Sequence, residues 1–490
     1  MAIQFNTIPI DLRSSGQYVE YNNSRAGQRL AGIPSRILLI GQKIAAGTVA
    51  PLTPTRFVTA DDVAALAGLG SQLWAMADCL RAVNKWTEAW LIALPDDAAA
   101  QAASGSLTFT AAAGASGTLT LRIDGTRVRV GIGAGDTVGA MATALAAAIN
   151  AERSLPVTAT AGAGSVTWGA RWKGESGNAI DARVGYYDEE APPPGLSFTL
   201  AAMSGGSANP DVGDALATVA GTWFTDIVCP YTDTANLVQL EEDGARRWGG
   251  MVMTDAHYYV GRHGTYGALA TFGNGRNSPN LTYVGGHNSP SSPWRWAAAL
   301  AGICAYESKQ DPARPYQTLA LPRSRILPPP MADRFDLTVR ELLLRDGIST
   351  WWVDDDGTVR LDNIITSYQR NGAGYEDSSY RQLETVKTLS FLRYSMRARI
   401  AQRFPRHKAA GDSYVKRPGQ FVARPQDIRD ELIALAYDWQ DAGLVEGIDQ
   451  FKAELAVERD DNDPNRFNAI IPPDLVNQFR VFAARIDFTN

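Results

Sequence analysis

Cysteine is nearly absent from this chain of 490 residues: Cys79, Cys229 and Cys304 are far apart, each in an apolar context. An odd, scattered set builds no disulfide framework and reads as buried thiols of a protein folded in a reducing compartment. Histidine is almost as scarce, with His257, His263, His287 and His407. His257 and His263 have no cysteine or carboxylate at metal-site spacing to complete a ligand set. Asp255 with His257 or His263 and a serine keeps a serine hydrolase as a minor alternative, but no G-x-S-x-G elbow presents a nucleophile. Without a G-x-x-x-x-G-K-[ST] loop, work driven by ATP is not expected. No catalytic residue, cofactor or metal is therefore assigned. Long apolar runs are missing too. The longest, "AAALAGICA" (297–305), falls short of the roughly 20 residues a membrane-spanning helix needs, so no membrane insertion is expected. The start, "MAIQFNTIPIDLR", lacks a basic segment followed by an apolar one, so no signal peptide is expected. A net charge of −6 and a pI near 5.4 argue against nucleic acid or an anionic membrane as partner.

What is present is material for several cores. Hydrophobic residues make up 45% and charged ones 20% of the chain, and the length suits about three domains of ~150 residues. "SRILLIG" (35–41), a helix around 60–85 and "EAWLIAL" (88–94) open an α/β pattern, which resumes with "WFTDIVCPY" (223–231), a helix over 234–248 and a strand at "GGMVMTD". The apolar helix "PWRWAAALAGICAYES" follows, then a hairpin turning at Asp356-Gly357. Strands alternating with helices predict a mainly parallel sheet with helices on both faces. Between the two halves, residues 100–205 shift to Ala, Gly, Thr and Ser, and predict an inserted β-rich α+β domain with its own small core. The predicted organisation is an N-terminal extended arm (1–25), a discontinuous core (26–99 and 206–375), the insertion (100–205), a C-terminal α+β domain (376–471) and a C-terminal extended arm (472–490).

One stretch of the insertion, "RVRVGIGAGDTVGAMATALAAAIN" (127–150), imitates the strand, glycine turn and helix of a dinucleotide site. Val128 and Val130 alternate with Arg127 and Arg129, while Val138, Met141, Leu145 and Ile149 share one helix face. The turn fails chemically. The pyrophosphate motif wants a third glycine where this chain has Asp136, and that carboxylate with the Thr137 hydroxyl would cap the helix itself.

Two features ask for a partner. Phe5, Ile8 and Ile10 at one end, and Val476, Phe479, Val481 and Ile486 at the other, are spaced as strands with no nearby strand to pair with. An exposed apolar strand is a hazard unless another subunit uses it. Two such arms on one chain make heterologous contacts that can propagate a filament. The second feature is basic: between 381 and 424 the chain carries Arg381, Lys387, Arg393, Arg397, Arg399, Arg403, Arg406, Lys408, Lys416, Arg417 and Arg424 against Glu384 and Asp412. On an acidic chain such a patch suits a protein partner with an acidic face. Its densest part is Arg397, Arg399, Arg403, Arg406 and Lys408. Pro405 is expected to end the helix that carries the first three.

The chain resembles the tail sheath proteins of contractile-tailed phages, in particular the Mu-like branch. The resemblance rests on "GIPSRILLIGQ" (32–42), the segment from "GTLTLRIDG" to "GNAIDARV" (117–184), "VGGHNSPSSPWRWAAALAG" (284–302) and "RDGISTWWVDDDGTVRL" (345–361). It implies a structural subunit of a helical, six-start homo-oligomer, assembled in the host cytoplasm around an inner tail tube protein. It also implies baseplate and tail terminator proteins as partners, and residence in the virion tail. The terminal arms would mesh with neighbours, and the C-terminal domain with its basic cluster would face the tube. The sheath of a phage-like bacteriocin or other contractile injection device is the alternative.

Overall fold

The computed structural model describes residues 13, 14, 16, 17, 19, 30–417 and 419–489. Phe5, Ile8 and Ile10 lie outside the described residues. Two compact units are defined by their contacts, one of residues 34–390 with 477–489, the other built on residues 391–476.

The larger unit opens with β1 (Arg36–Gln42), β2 (Thr55–Phe57), a helix Gln72–Val83 and β3 (Glu88–Leu94). An insertion follows, with β4 (Ser104–Phe109), β5 (Gly117–Ile123), β6 (Thr126–Ile132), a helix Val138–Ala151, β7 (Val157–Ala161), β8 (Ser165–Ala170), β9 (Ala182–Val184) and β10 (Phe198–Ser204). The chain then returns through β11 (Asp226–Cys229), β12 (His257–Gly261) and β13 (Leu281–Val284). The core sheet has the order β13-β12-β11-β1-β3-β2, parallel except for β2.

Strands covered on both faces must be apolar throughout, and Ile37, Leu38, Leu39 and Ile40 of β1 are fully buried. Ile37 and Leu39 pack with Leu73 and Met76 and with Trp296 and Leu300 of the helix Pro293–Gln310. Leu38 and Ile40 belong to the opposite core, with Leu237 and Leu240 of the helix Thr234–Trp248, Leu269 of Tyr266–Asn274 and Leu343 of Leu337–Arg345. The helices start where polar residues accept their first free N–H groups: Ser71 from Trp74, Asp233 from Asn236 and Asp336 from Val339. At Gly261 a side chain is excluded, because a Cβ would fall 1.9 Å from the Pro293 carbonyl oxygen. Glycine lets the end of β12 meet the start of the longest core helix.

Two expectations about this core are corrected. The helix expected over 60–85 is interrupted at Gly68-Leu69-Gly70, where both glycines have positive φ. "GGMVMTD" is a loop: Gly249-Gly250 stop the preceding helix, Met251 is exposed, Met253 has φ +51°, and the strand starts at His257. Pairing with β11 and β13 selects "HYYVG", which is buried at every position. The Asp356-Gly357 hairpin forms as expected, with Trp351–Val353 antiparallel to Val359–Leu361 and Gly357 at φ +82°.

In the insertion the strands form two sheets, β10-β4-β8-β7 and β6-β5-β9. Its ends meet at a bridge between Gln101 and Ser207. The turn before the helix Val138–Ala151 is self-capped: the Gly133 N–H donates to Asp136 Oδ2 at 2.6 Å and the Ala140 N–H to Thr137 Oγ1 at 3.2 Å. The Asp136 carboxylate holds the place a phosphate would need, and β6 pairs antiparallel with β5. The expectation of a self-contained core is not met. Leu107, Val166 and Trp168 share one cluster with Leu39 and Met76, and Trp172 packs edge-on against Trp294 at 5.9 Å. Buried Asp124 accepts from the Ser292 N–H at 2.8 Å and from Arg295 Nε at 2.7 Å. The insertion thus neutralises a guanidinium inside the core.

The smaller unit takes in the greater part of the helix Leu383–Arg403, with the helix Pro425–Asp441 and two short antiparallel pairs, Ala456–Arg459 with Phe467–Ile470 and Val445–Glu446 with Asp474–Leu475. Leu432, Leu435 and Trp439 are buried, and Trp439 Nε1 donates to Ser395 Oγ at 2.9 Å.

Candidate assembly surfaces

In an open parallel sheet, the place for an active site is the crevice at the carboxyl ends of the strands. A cleft of about 560 Å³ lies there, and Asp181, Arg262, His263, His287 and Asn288 line it. Most of these polar groups are already engaged. Arg183 binds Asp181 and the Asn288 carbonyl, and Asn288 Nδ2 donates to Asp333. His263 donates from Nε2 to the Ser291 carbonyl at 2.7 Å and accepts the Gly286 N–H at Nδ1. Burial lowers this imidazole to about 4, so it stays neutral. His257 is also held well below the ordinary histidine range, first by burial and then by Lys387, and its Nε2 bonds the Thr282 hydroxyl. Asp255 accepts from the Ser390 hydroxyl at 2.7 Å. The alternative Ser-His-Asp reading thus finds His257 on Thr282 and His263 on Ser291 and Gly286. Cys79, Cys229 and Cys304 are free and buried, and burial pushes the first two thiols up to about 12.

The basic cluster divides into an internal part and an exposed part, which corrects the reading of its five residues as one tube-facing patch. Arg399 is buried, with Nη1 at 2.8 Å from Glu431 Oε1 and Nη2 bonded to Asp438. Burial works against its charge, yet the hydrogen bonds to Glu431 and Asp438 raise its pKa above the ordinary arginine value. Arg403 Nε lies 3.0 Å from the same Glu431 oxygen, with its outer surface exposed. Arg424 and Lys416 both meet Asp427. The helix Pro425–Asp441 presents Asp427, Glu431 and Asp438 to these cations, at i, i+4 and i+11 along one stripe. That acidic stripe was the available sequence signal for where these cations go. Arg397, Arg406 and Lys408 are exposed, the last two on the segment after Pro405 as expected.

The C-terminal arm is shorter than expected. Asp474–Leu475 completes a strand pair and the Val476 N–H donates to the Leu444 carbonyl, so Val476 is tied within the smaller unit. From residue 477 to 489 the chain belongs to no helix or sheet. Phe479, Val481, Phe482, Ile486 and Phe488 are 71–86% exposed. A row of large apolar side chains on a segment outside any sheet is a surface for another chain.

Exposed apolar side chains outside any sheet suit a subunit of an assembly. Residues 205–367 match the phage tail sheath protein central domain and residues 375–489 the phage tail sheath C-terminal domain. The chain belongs to the phage tail sheath family and is a structural subunit of a contractile tail sheath. Over 491 aligned residues, covering 100% of both chains, it is 38% identical to the Mu-like prophage FluMu tail sheath protein of Haemophilus influenzae. Among solved structures, a sheath tail protein from Desulfitobacterium hafniense is 12% identical, with a TM-score of 0.48 over 94% of this chain and 100% of that one. Another, from Listeria innocua, is 14% identical, with a TM-score of 0.48 over 91% and 93%.

Proposed function

We propose that this subunit polymerises into a helical sleeve around an inner tail tube, and that shortening of the sleeve drives the tube through a host envelope. No nucleotide is required in this reading. The extended sleeve is kinetically trapped, and its subunits reach more favourable contacts by turning as rigid bodies while their arms stay joined. The arms, residues 1–25 and 477–490, supply strands to neighbouring subunits. Arg406 and Lys408 meet an acidic tube through numerous, weak, solvated contacts of about 0–1 kcal/mol each, which release on contraction. Baseplate and terminator proteins cap the sleeve in the virion tail, after assembly in the host cytoplasm.

The observation that carries this reading is the C-terminal arm, whose exposed apolar side chains lie outside any sheet of the described residues. Negative-stain microscopy of the purified chain tests it. Long hollow polymers are expected from the full chain, and monodisperse folded particles from a chain ending at Val476. Polymers formed equally by both would refute the role of the arm, and monodisperse particles from the full chain would refute the sleeve.

A further inference from the structure

The exposed arm is fastened near its start, by a charged contact and a neutral one. Glu384, in the first turn of the helix Leu383–Arg403, has a fully buried side chain. Its Oε1 accepts the Tyr316 N–H at 3.1 Å and lies 2.8 Å from Arg480 Nη2. The approach is that of an ion pair and not of an aligned hydrogen bond, and Glu384 Oε2 has no hydrogen-bond partner among the described residues. One residue along, Gln317 Nε2 donates to the Phe479 carbonyl at 3.1 Å. The large apolar side chains around this point, Phe479, Val481 and Phe482, face outward.

A buried carboxylate without a counter-charge is costly, and a neutral neighbour does not replace the cation. The arm therefore has one acceptable register at this site. A slip by one residue would present Phe479 or Val481 to Glu384, and a slip by two would present Gln478 or Phe482. The next cation, Arg485, lies five residues on, on the opposite side of an extended strand, and pairs with Asp487. Every copy carries the same Arg480 and the same Glu384, so the arginine of one chain fits the carboxylate of another as well as its own, the condition for exchange of an identical element.

We propose that Glu384 is the receptor of the C-terminal arm, that Arg480 sets the arm's register, and that in the polymer the arginine at Glu384 belongs to a second copy of this chain. This rests on the reading of the arm as a connector between subunits.

Charge exchange between two variants tests it. Arg480→Glu places two acids at the site and Glu384→Arg places two bases. Each variant alone should lose polymer by at least about tenfold, the effect of 1.4 kcal/mol on an equilibrium. An equimolar mixture should polymerise, because each arm then meets an opposite charge on the other variant. If the mixture stays unassembled while the double variant Glu384→Arg/Arg480→Glu assembles by itself, the pair forms only within one chain and the exchange is refuted. If a chain ending at Val476 still polymerises, the connector reading itself falls, a distinct outcome. Should the charge variants fail to fold, Glu384→Cys/Arg480→Cys keeps the question open to measurement. Oxidised polymers should run as a ladder of linked subunits on a denaturing gel, and linked single chains alone would refute the exchange.

Discussion

Replacing Arg399 by glutamate separates a cation that holds the smaller unit together from one that meets a partner. Alanine at this position removes the hydrogen bonds to Glu431 and Asp438, each about 1.5–3 kcal/mol for a charged pair. It leaves both acids facing a vacated site. Glu431 and Asp438 are 18% and 27% exposed, so water recovers part of the loss. Arg403 also keeps its contact with Glu431. The net cost is about 2–3 kcal/mol, below the 3–5 of a fully buried broken pair. Glutamate adds a third acid and raises the cost to about 4 kcal/mol. Hydrogen exchange of the amides in Pro425–Asp441 reads this locally: R399A should speed exchange of the slowest of them about 30- to 150-fold, and R399E more. R406E and K408E should change it less than about twofold, since exposed substitutions stay within about 0.5 kcal/mol. R399M/E431L/D438L, which removes every charge of the pair, should recover most of the protection. Unchanged exchange in R399E would refute the assignment of Arg399 to the interior and return it to the assembly surface.

Excising residues 100–205 should destabilise the core, because it strands the buried Arg295 without Asp124; the same excision with Arg295→Met should melt at a higher temperature than the excision alone. Gly261→Ala should cost about 3 kcal/mol or more in urea unfolding, since its Cβ would sit 1.9 Å from the Pro293 oxygen. Acid should weaken the larger unit through His263, whose folded pKa of about 4 lies below the unfolded 6.5. In that window the unfolded chain binds the extra proton, so the stabilisation is complete above pH 6.5 and is lost as the pH falls towards 4. The loss amounts to about 2–3 kcal/mol after allowing for partial exposure, and His263→Gln should flatten this part of the stability curve.

Local chemistry was legible without the fold. The run "ILLIG" is apolar at successive positions, as a strand buried on both faces requires, and it lies in the central β1. Asp136 and Thr137 satisfy N–H groups within four residues of themselves, so the sequence alone excluded a phosphate there. Asp356-Gly357 turned the hairpin for the same reason of short range. The odd, scattered cysteines lie buried and unlinked, as their apolar contexts suggested. Segments whose alternatives compete across the chain were not legible in this way: "GGMVMTD" is as apolar as "HYYVG", and only the neighbours β11 and β13 select the second.

The sequence by itself thus determined the short-range caps and turns, which residues are apolar enough for the core, and that the C-terminal arm has no strand partner close by. Tertiary structure decided what the charges do. Arg399 and Arg406 are indistinguishable as letters in one basic run, but Arg399 lies buried against Glu431 and Asp438, and Arg406 on the exposed segment after Pro405. Arg295 and Asp124, 171 residues apart, became a single buried pair that binds the insertion to the core. Arg480 likewise became the partner of the buried Glu384. The worth of a charge depends on the water it loses and the partner it gains, and neither is set until distant parts of the chain have packed.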